Sequence, residues 1–293
     1  MSTQSPIVVL DSGLGGLTVV RALRHVLPHD DILYFGDTAR LPYGEKTAPT
    51  VTAFVRQIIT YLRPFDPKHV VIACNTATAL ALPALRTEFP DLSISGVIEP
   101  GSRAAVEAAG PKTHPVIGVI ATEATVRSKA YDRAIFRRRN RARVILRPTP
   151  LLVPIIEEGR TAEDPLVRLA LEQYLNPMLQ RGLDVLVLGC THYPILTGLI
   201  ASVVGASVTV IDSAEQCAED VARRLRTCNL LRGSRPDGDS PTLRCFVTDD
   251  SPKFARLASR FLGVEINAPK LVSPDDLYAL CEPRSVRQMR LGA

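Results

Sequence analysis

Apolar residues recur along this chain in short β-branched runs that alternate with stretches of helical spacing. Ile7, Val8, Val9 and Leu10 form the first run, which ends at Asp11, Ser12 and the glycines at 13, 15 and 16. Residues 17–26 then have the spacing of a helix, halted near Pro28. A second strand is predicted over 31–35, followed by a polar loop over 36–44. Helical spacing over 50–62 is closed by Pro64 and Pro67. A strand over 70–73 and a helix over 77–85 come next. The rhythm resumes with strands over 115–121, 143–146, 185–188 and 208–211, and helices over 124–138, 166–180, 195–204 and 214–225. Residues 232–241, rich in Gly, Ser, Pro and Asp, predict an exposed loop or insertion. A strand over 245–247 and a helix over 252–262 follow, then an extended or helical tail from Pro269 with little bearing on chemistry.

Strand followed by helix, repeated with few hairpin signals, predicts an α/β fold with mainly parallel sheets flanked by helices. In such sheets the loops leaving the carboxyl ends of strands line the ligand crevice. Asp11, Cys74, Thr122, Cys190 and Asp212 all lie just beyond a predicted strand end. Two of these segments match in kind. Val70, Val71 and Ile72 run into Ala73-Cys74-Asn75-Thr76, and Val185 to Leu188 run into Gly189-Cys190-Thr191-His192. Two thiols in matching surroundings, far apart in sequence, predict one pocket with a sulfur on either side. That arrangement suits removal of a proton from one face of a carbon and delivery of one to the other.

A thiol acts as a base only as thiolate, and helix N-termini and cationic neighbours favour that form. Cys74 and Cys190 each sit where a predicted strand hands over to a helix, close to backbone N–H groups. Buried structural cysteine is the competing reading for either alone; the matched pair, with polar neighbours at both sites, favours chemistry. His192 is placed to orient a group or exchange protons beside Cys190. The glycines after Asp11 let backbone N–H groups approach an anion. A carboxylate-binding loop ranks above a dinucleotide fingerprint, because Thr18 stands where the third glycine would be needed. A zinc site would need close ligand pairs, and only Cys190 with His192 qualifies, so no metal is expected. A cysteine hydrolase would leave the second cysteine unexplained.

Composition adds boundaries. The 293 residues are 46% hydrophobic and 22% charged, ordinary for a globular enzyme with a sizeable core. No stretch reaches the roughly 20 apolar residues of a membrane span, and the polar start lacks a signal pattern, so a cytoplasmic location without membrane contact is expected. Six cysteines without CxxC spacing do not form a disulfide framework. Cys217, Cys228, Cys245 and Cys281 are read as packing or surface residues. The net charge of +5 owes much to Arg133, Arg137, Arg138, Arg139, Arg141 and Arg143. This cluster is read as a solvated helix face and loop, and no nucleic-acid partner is expected.

Residues 10–19, 34–44, 73–78, 96–101, 189–194, 211–214 and 247–250 carry a series of motifs in family order, spanning roughly residues 6–263. Together they resemble those of the glutamate racemases, within the aspartate/glutamate racemase superfamily. The resemblance implies cofactor-independent interconversion of L- and D-glutamate, supplying D-glutamate for peptidoglycan. It implies two similar α/β domains, residues 1–98 with 212–293 and residues 99–211, with the active site at their interface. Cys74 and Cys190 would be the two proton donor/acceptors, Cys190 taking the proton from L-glutamate and Cys74 from D-glutamate. Asp11, His192 and Glu157 would tune the thiols. Asp11, Ser12, Tyr43, Gly44, Asn75, Thr76, Thr122, Thr191 and His192 would bind substrate. A homodimer is expected. A sister racemase acting on aspartate is the nearest alternative, and a gyrase-binding protein on a racemase scaffold is another. The family often has a cysteine where this chain has Thr149, which bears on packing near the second cysteine. The short segment before the first strand implies no activation by a peptidoglycan precursor.

Overall fold

The computed structural model describes residues 2–236, 239–249 and 252–281. Among these, strands β1 (Ile7–Asp11), β2 (Ile32–Gly36), β3 (His69–Ile72), β4 (Ile94–Gly96) and β5 (Val116–Ala121) come first. Strands β6 (Arg143–Pro148), β7 (Val185–Gly189), β8 (Thr209–Asp212), β9 (Leu243–Val247) and β10 (Lys270–Leu271) follow. They form two sheets, in the orders β10-β9-β2-β1-β3-β4 and β6-β5-β7-β8. Every pairing is parallel. The α/β architecture with parallel sheets is therefore as the strand–helix rhythm predicts.

The central strands β1, β2, β3, β5 and β7 are buried along their whole length, which is why they read as continuous apolar runs rather than alternating ones. One apolar cluster joins the sheets: Val9 and Val71 of the first belong to it together with Val119 and Val187 of the second. A second cluster covers the other face of the first sheet, with Val8, Leu10, Val70 and Ile72 against Ile58, Ala81 and Leu85. The helices Leu17–Val26 and Ser213–Thr227 pack on each other between the sheets. Register then places the chemistry. Leu10 lies opposite Phe35 and Ile72, so the loop from Ser12 and the turn at Cys74 leave one sheet side by side. Ala121 lies opposite Pro148 and Gly189, so Thr122, Thr149 and Cys190 leave the other together.

Several elements differ from the sequence-based expectation. Strand β4 and the helices Ile98–Ala108 and Leu152–Glu157 are not signalled by periodicity. Pro100 and Gly101 argue locally against a helix, yet Pro100 stands in the first turn, where its missing N–H is not needed. The stretch expected as one helix over 124–138 is two, Glu123–Ser128 and Ala130–Arg138, because Lys129 adopts a left-handed φ of 53°. Helix Asn75–Glu88 starts directly at the first cysteine segment and runs through Pro83. Half of the arginine cluster, Arg133, Arg137 and Arg138, lies on helix Ala130–Arg138, and Arg143 opens β6; Arg137 and Arg138 pair with Glu99, and Arg139 donates to the carbonyl of Gly110 at 2.7 Å. The tail forms β10 and a helix Pro274–Cys281. Residues 237–238 of the expected loop, Asp250 of the 247–250 motif and the tail beyond 281 lie outside the described residues. No helix among the described residues is long and apolar enough to cross a membrane.

Candidate active site

The carboxyl ends of β1 and β3 face those of β5 and β7 across a cleft. Ser12, Tyr43, Gly44, Cys74, Asn75 and Thr76 line it from the first sheet's side, and Thr122, Glu157, Cys190, Thr191 and His192 from the second's. Both cysteines are only 6% exposed, and both are free thiols. Eleven of the residues singled out in the sequence are thus brought to one place.

Contact across the cleft floor depends on glycine. A Cβ on Gly15 would stand 2.4 Å from Thr191 Oγ1 and 2.6 Å from His192 Nδ1, so only glycine lets the β1 loop close on the β7 loop. Thr18 ties the same junction, donating from its hydroxyl to the Thr191 carbonyl at 3.1 Å. On the other wall the hydroxyls of Thr76 and Thr122 lie 2.9 Å apart, and Thr125 joins them at 3.3 and 3.0 Å. The loop carrying Tyr43 and Gly44 is anchored by Asp37. This fully buried carboxylate receives the Tyr43 hydroxyl, the Arg40 Nε–H at 2.9 Å and the Thr248 hydroxyl at 3.0 Å.

The two thiols have different surroundings. Cys74 is the N-cap residue of helix Asn75–Glu88, and its Sγ–H donates to Ser12 Oγ at 3.5 Å. Burial, reinforced by the Asp11 carboxylate, pushes the Cys74 thiol up to about 12, against the Ser12 hydrogen bond. Cys190 is followed by the 3-10 turn Tyr193–Leu196 instead of an α-helix, a departure from the expected strand-to-helix handover. Its Sγ lies 3.8 Å from His192 Nδ1, and His192 Nε2 lies 3.1 Å from Glu157 Oε1. Burial opposes charging of His192, but the hydrogen bonds to Cys190 and Glu157 outweigh it and raise the imidazole to about 10. At neutral pH His192 is an imidazolium, donating to sulfur on one side and carboxylate on the other.

Two expected residues stand elsewhere. Asp11 does not line the cleft; it lies behind Ser12 with 1% exposure, accepting the Gly13 N–H at 3.0 Å. Burial raises its pKa, against the pull of His192 and the neighbouring backbone N–H groups, so its influence reaches the site through the field it exerts. Asp212 caps helix Ser213–Thr227 by accepting the Ala214 N–H at 2.8 Å. It lines a separate depression with Arg21, His25 and Glu215. Gly13, Leu41, Pro42 and Val153 complete the cleft lining. Gly13 belongs to the glycine loop singled out in the sequence; nothing in the residue type of the other three marks them, although Leu41 and Pro42 fall within the 34–44 motif.

The region matched by a family model for Asp/Glu/Hydantoin racemases runs from residue 17 to 221, most of the chain. The chain belongs to this racemase family. Among curated members, the glutamate racemase of Syntrophus aciditrophicus is 45% identical over 258 residues, 88% of this chain and 93% of the relative. That of Neisseria meningitidis serogroup A is 44% identical over 270 residues, 92% of this chain and 97% of its own. The crystal structure of the Francisella tularensis glutamate racemase in complex with D-glutamate superposes with a TM-score of 0.83 at 35% identity, covering 92% and 98% of the two chains.

Within this racemase, Thr149 occupies the position expected to differ from its family. It is 1% exposed, its hydroxyl lies 2.6 Å from the Tyr193 hydroxyl, and Tyr193 follows the Cys190 loop. Thr149→Val keeps the shape but leaves Tyr193 without that partner. Chemical unfolding is expected to show a loss of about 1–2 kcal/mol; an unchanged midpoint would mean that the hydroxyl pair contributes nothing.

Proposed function

We propose that this chain interconverts L- and D-glutamate by a two-thiol route. The observation that carries the reading is the pair of enclosed cysteines, one at the end of β3 and one at the end of β7, lining a single cleft. In the form that takes L-glutamate, Cys190 is the thiolate beside the His192 imidazolium and Cys74 holds its proton. The Cα–H bond breaks as S–H forms on Cys190; the Cys74 S–H bond breaks as its proton reaches the opposite face of Cα. The enzyme is left in the mirror protonation state, ready for D-glutamate. Removing an α-proton generates negative charge next to the substrate carboxylate, and preorganised donors in an enclosed site stabilise it. Thr76, Thr122 and Thr191, which line the cleft, supply donors of this kind.

The two sheets mark the cores of two domains in this reading, residues 1–98 with 212–293 and residues 99–211. The reaction would supply D-glutamate for peptidoglycan in the cytoplasm, and we place the working enzyme as a homodimer. The test is incubation with L-glutamate in deuterium oxide. Chiral chromatography with mass spectrometry is expected to show D-glutamate bearing one α-deuteron. Failure to form it, or faster turnover of aspartate under the same conditions, overturns the assignment.

A further inference from the structure

Asn75 lines the cleft yet is 2% exposed, and its amide is used from one end only. Its Oδ1 accepts the Tyr131 hydroxyl at 2.7 Å. Its Nδ2 has no hydrogen-bond partner among the described residues. A buried amide N–H₂ left unpaired is unfavourable unless a ligand completes it. The orientation of the amide is therefore the point at issue, since a flipped amide would present an acceptor to the cleft.

Tyr131 decides that orientation. Its ring is 1% exposed, and it is delivered from the layer of the second sheet, whereas Asn75 opens the helix after β3 in the first. Two local features aim it there. Lys129, with its left-handed φ of 53°, breaks the helix and redirects the chain. Ser128 Oγ then accepts the Ala130 N–H at 3.1 Å, fixing the start of the new helix. Burial pushes the phenol up from its ordinary value, so it stays a neutral donor with one proton to give.

We infer that Tyr131 is a positioning residue for substrate binding: by donating to Asn75 Oδ1 it holds Nδ2 toward the cleft as a donor for a substrate carboxylate. This rests on the glutamate reading and deepens it. Because Tyr131 and Asn75 come from the layers of different sheets, the donor is set only when the two are docked together. Tyr131 touches no reacting atom, so its loss acts on binding more than on turnover.

The experiment is a steady-state comparison in both directions of wild type, Tyr131→Phe, Asn75→Ala and the double variant. Tyr131→Phe is expected to raise KM for both enantiomers about tenfold while kcat changes less than about threefold, the effect of losing one oriented hydrogen bond to a charged group. The double variant is expected to bind no worse than Asn75→Ala alone, because the tyrosine acts through the asparagine. Unchanged KM in Tyr131→Phe, or additive losses in the double variant, overturns the inference. Asn75→Asp gives an independent reading if Tyr131→Phe does not fold. It keeps an acceptor for Tyr131 but removes the N–H donor, so KM rises at least tenfold; an unchanged KM would again be decisive against it. Absence of glutamate turnover in wild type condemns the functional reading instead, before any variant is made.

Discussion

Replacing either Cys74 or Cys190 by serine is expected to lower the rate of glutamate racemisation by about a thousandfold or more in both directions. A positioned acid–base group contributes roughly 10²- to 10⁴-fold, and both thiols are required in every turnover, one as base and the other as acid. Serine is close in size, and at position 74 it retains a hydroxyl beside Ser12, but it is far less acidic than the thiol, so neither half of the proton transfer proceeds at the native rate. Far-ultraviolet circular dichroism and unchanged unfolding midpoints will show that the fold persists. A loss below tenfold in either variant would reject the two-thiol route. The asymmetry of the site adds a sharper test. Cys74 is held as a thiol by burial and Asp11, while Cys190 has a cationic neighbour. Alkylation by iodoacetamide at pH 7.5, read by peptide mass spectrometry, is expected to reach Cys190 before Cys74, since the thiolate is the nucleophile. Equal labelling would mean that the His192 contact does not separate the two.

The fold was legible wherever one strand's apolar run was long enough to be buried on both faces. Ile7 to Leu10, Val70 to Ile72 and Val185 to Leu188 are such runs, and the site residues follow directly from where they stop. β4 was not legible because Ile94, Ser95 and Gly96 have no periodic signature of their own; parallel pairing with β3 creates that strand. Helix Ile98–Ala108 carries Pro100 and Gly101 in its first turn, residues that local rules assign to turns, and forms because tertiary packing overrides propensity. The site shows the same division. Cysteine, histidine and the threonines announce themselves by residue type. Tyr131 and Asp37 do not, since their roles exist only through contacts 56 and 6 residues away, with Asn75 and Tyr43. Asp11 and Asp212 share a position at a strand end with the cysteines, yet one is turned behind the cleft wall and the other is used as a helix cap.

The second large effect belongs to the His192–Glu157 pair. His192→Asn is expected to lower turnover of L-glutamate by about a hundredfold, the lower end of what a positioned acid–base or charge-stabilising group provides, and to weaken D-glutamate turnover less. The reason is geometric: the imidazole contacts the sulfur of Cys190 and lies on that face of the cleft alone. Its protonation has a pH signature. The folded value of about 10 stands above the ordinary 6.5, so the charged ring adds to stability fully below about 6.5 and loses that contribution as pH rises through about 10. Wild-type kcat should therefore show no break from this histidine between pH 6 and 9. Glu157→Gln removes the anionic partner of Nε2 and lets the imidazolium titrate lower. Its kcat for L-glutamate is expected to fall progressively over pH 7–9, where wild type stays level. Identical profiles for the two proteins would show that Glu157 does not hold the charge on His192, and that the Cys190 sulfur alone keeps the ring protonated.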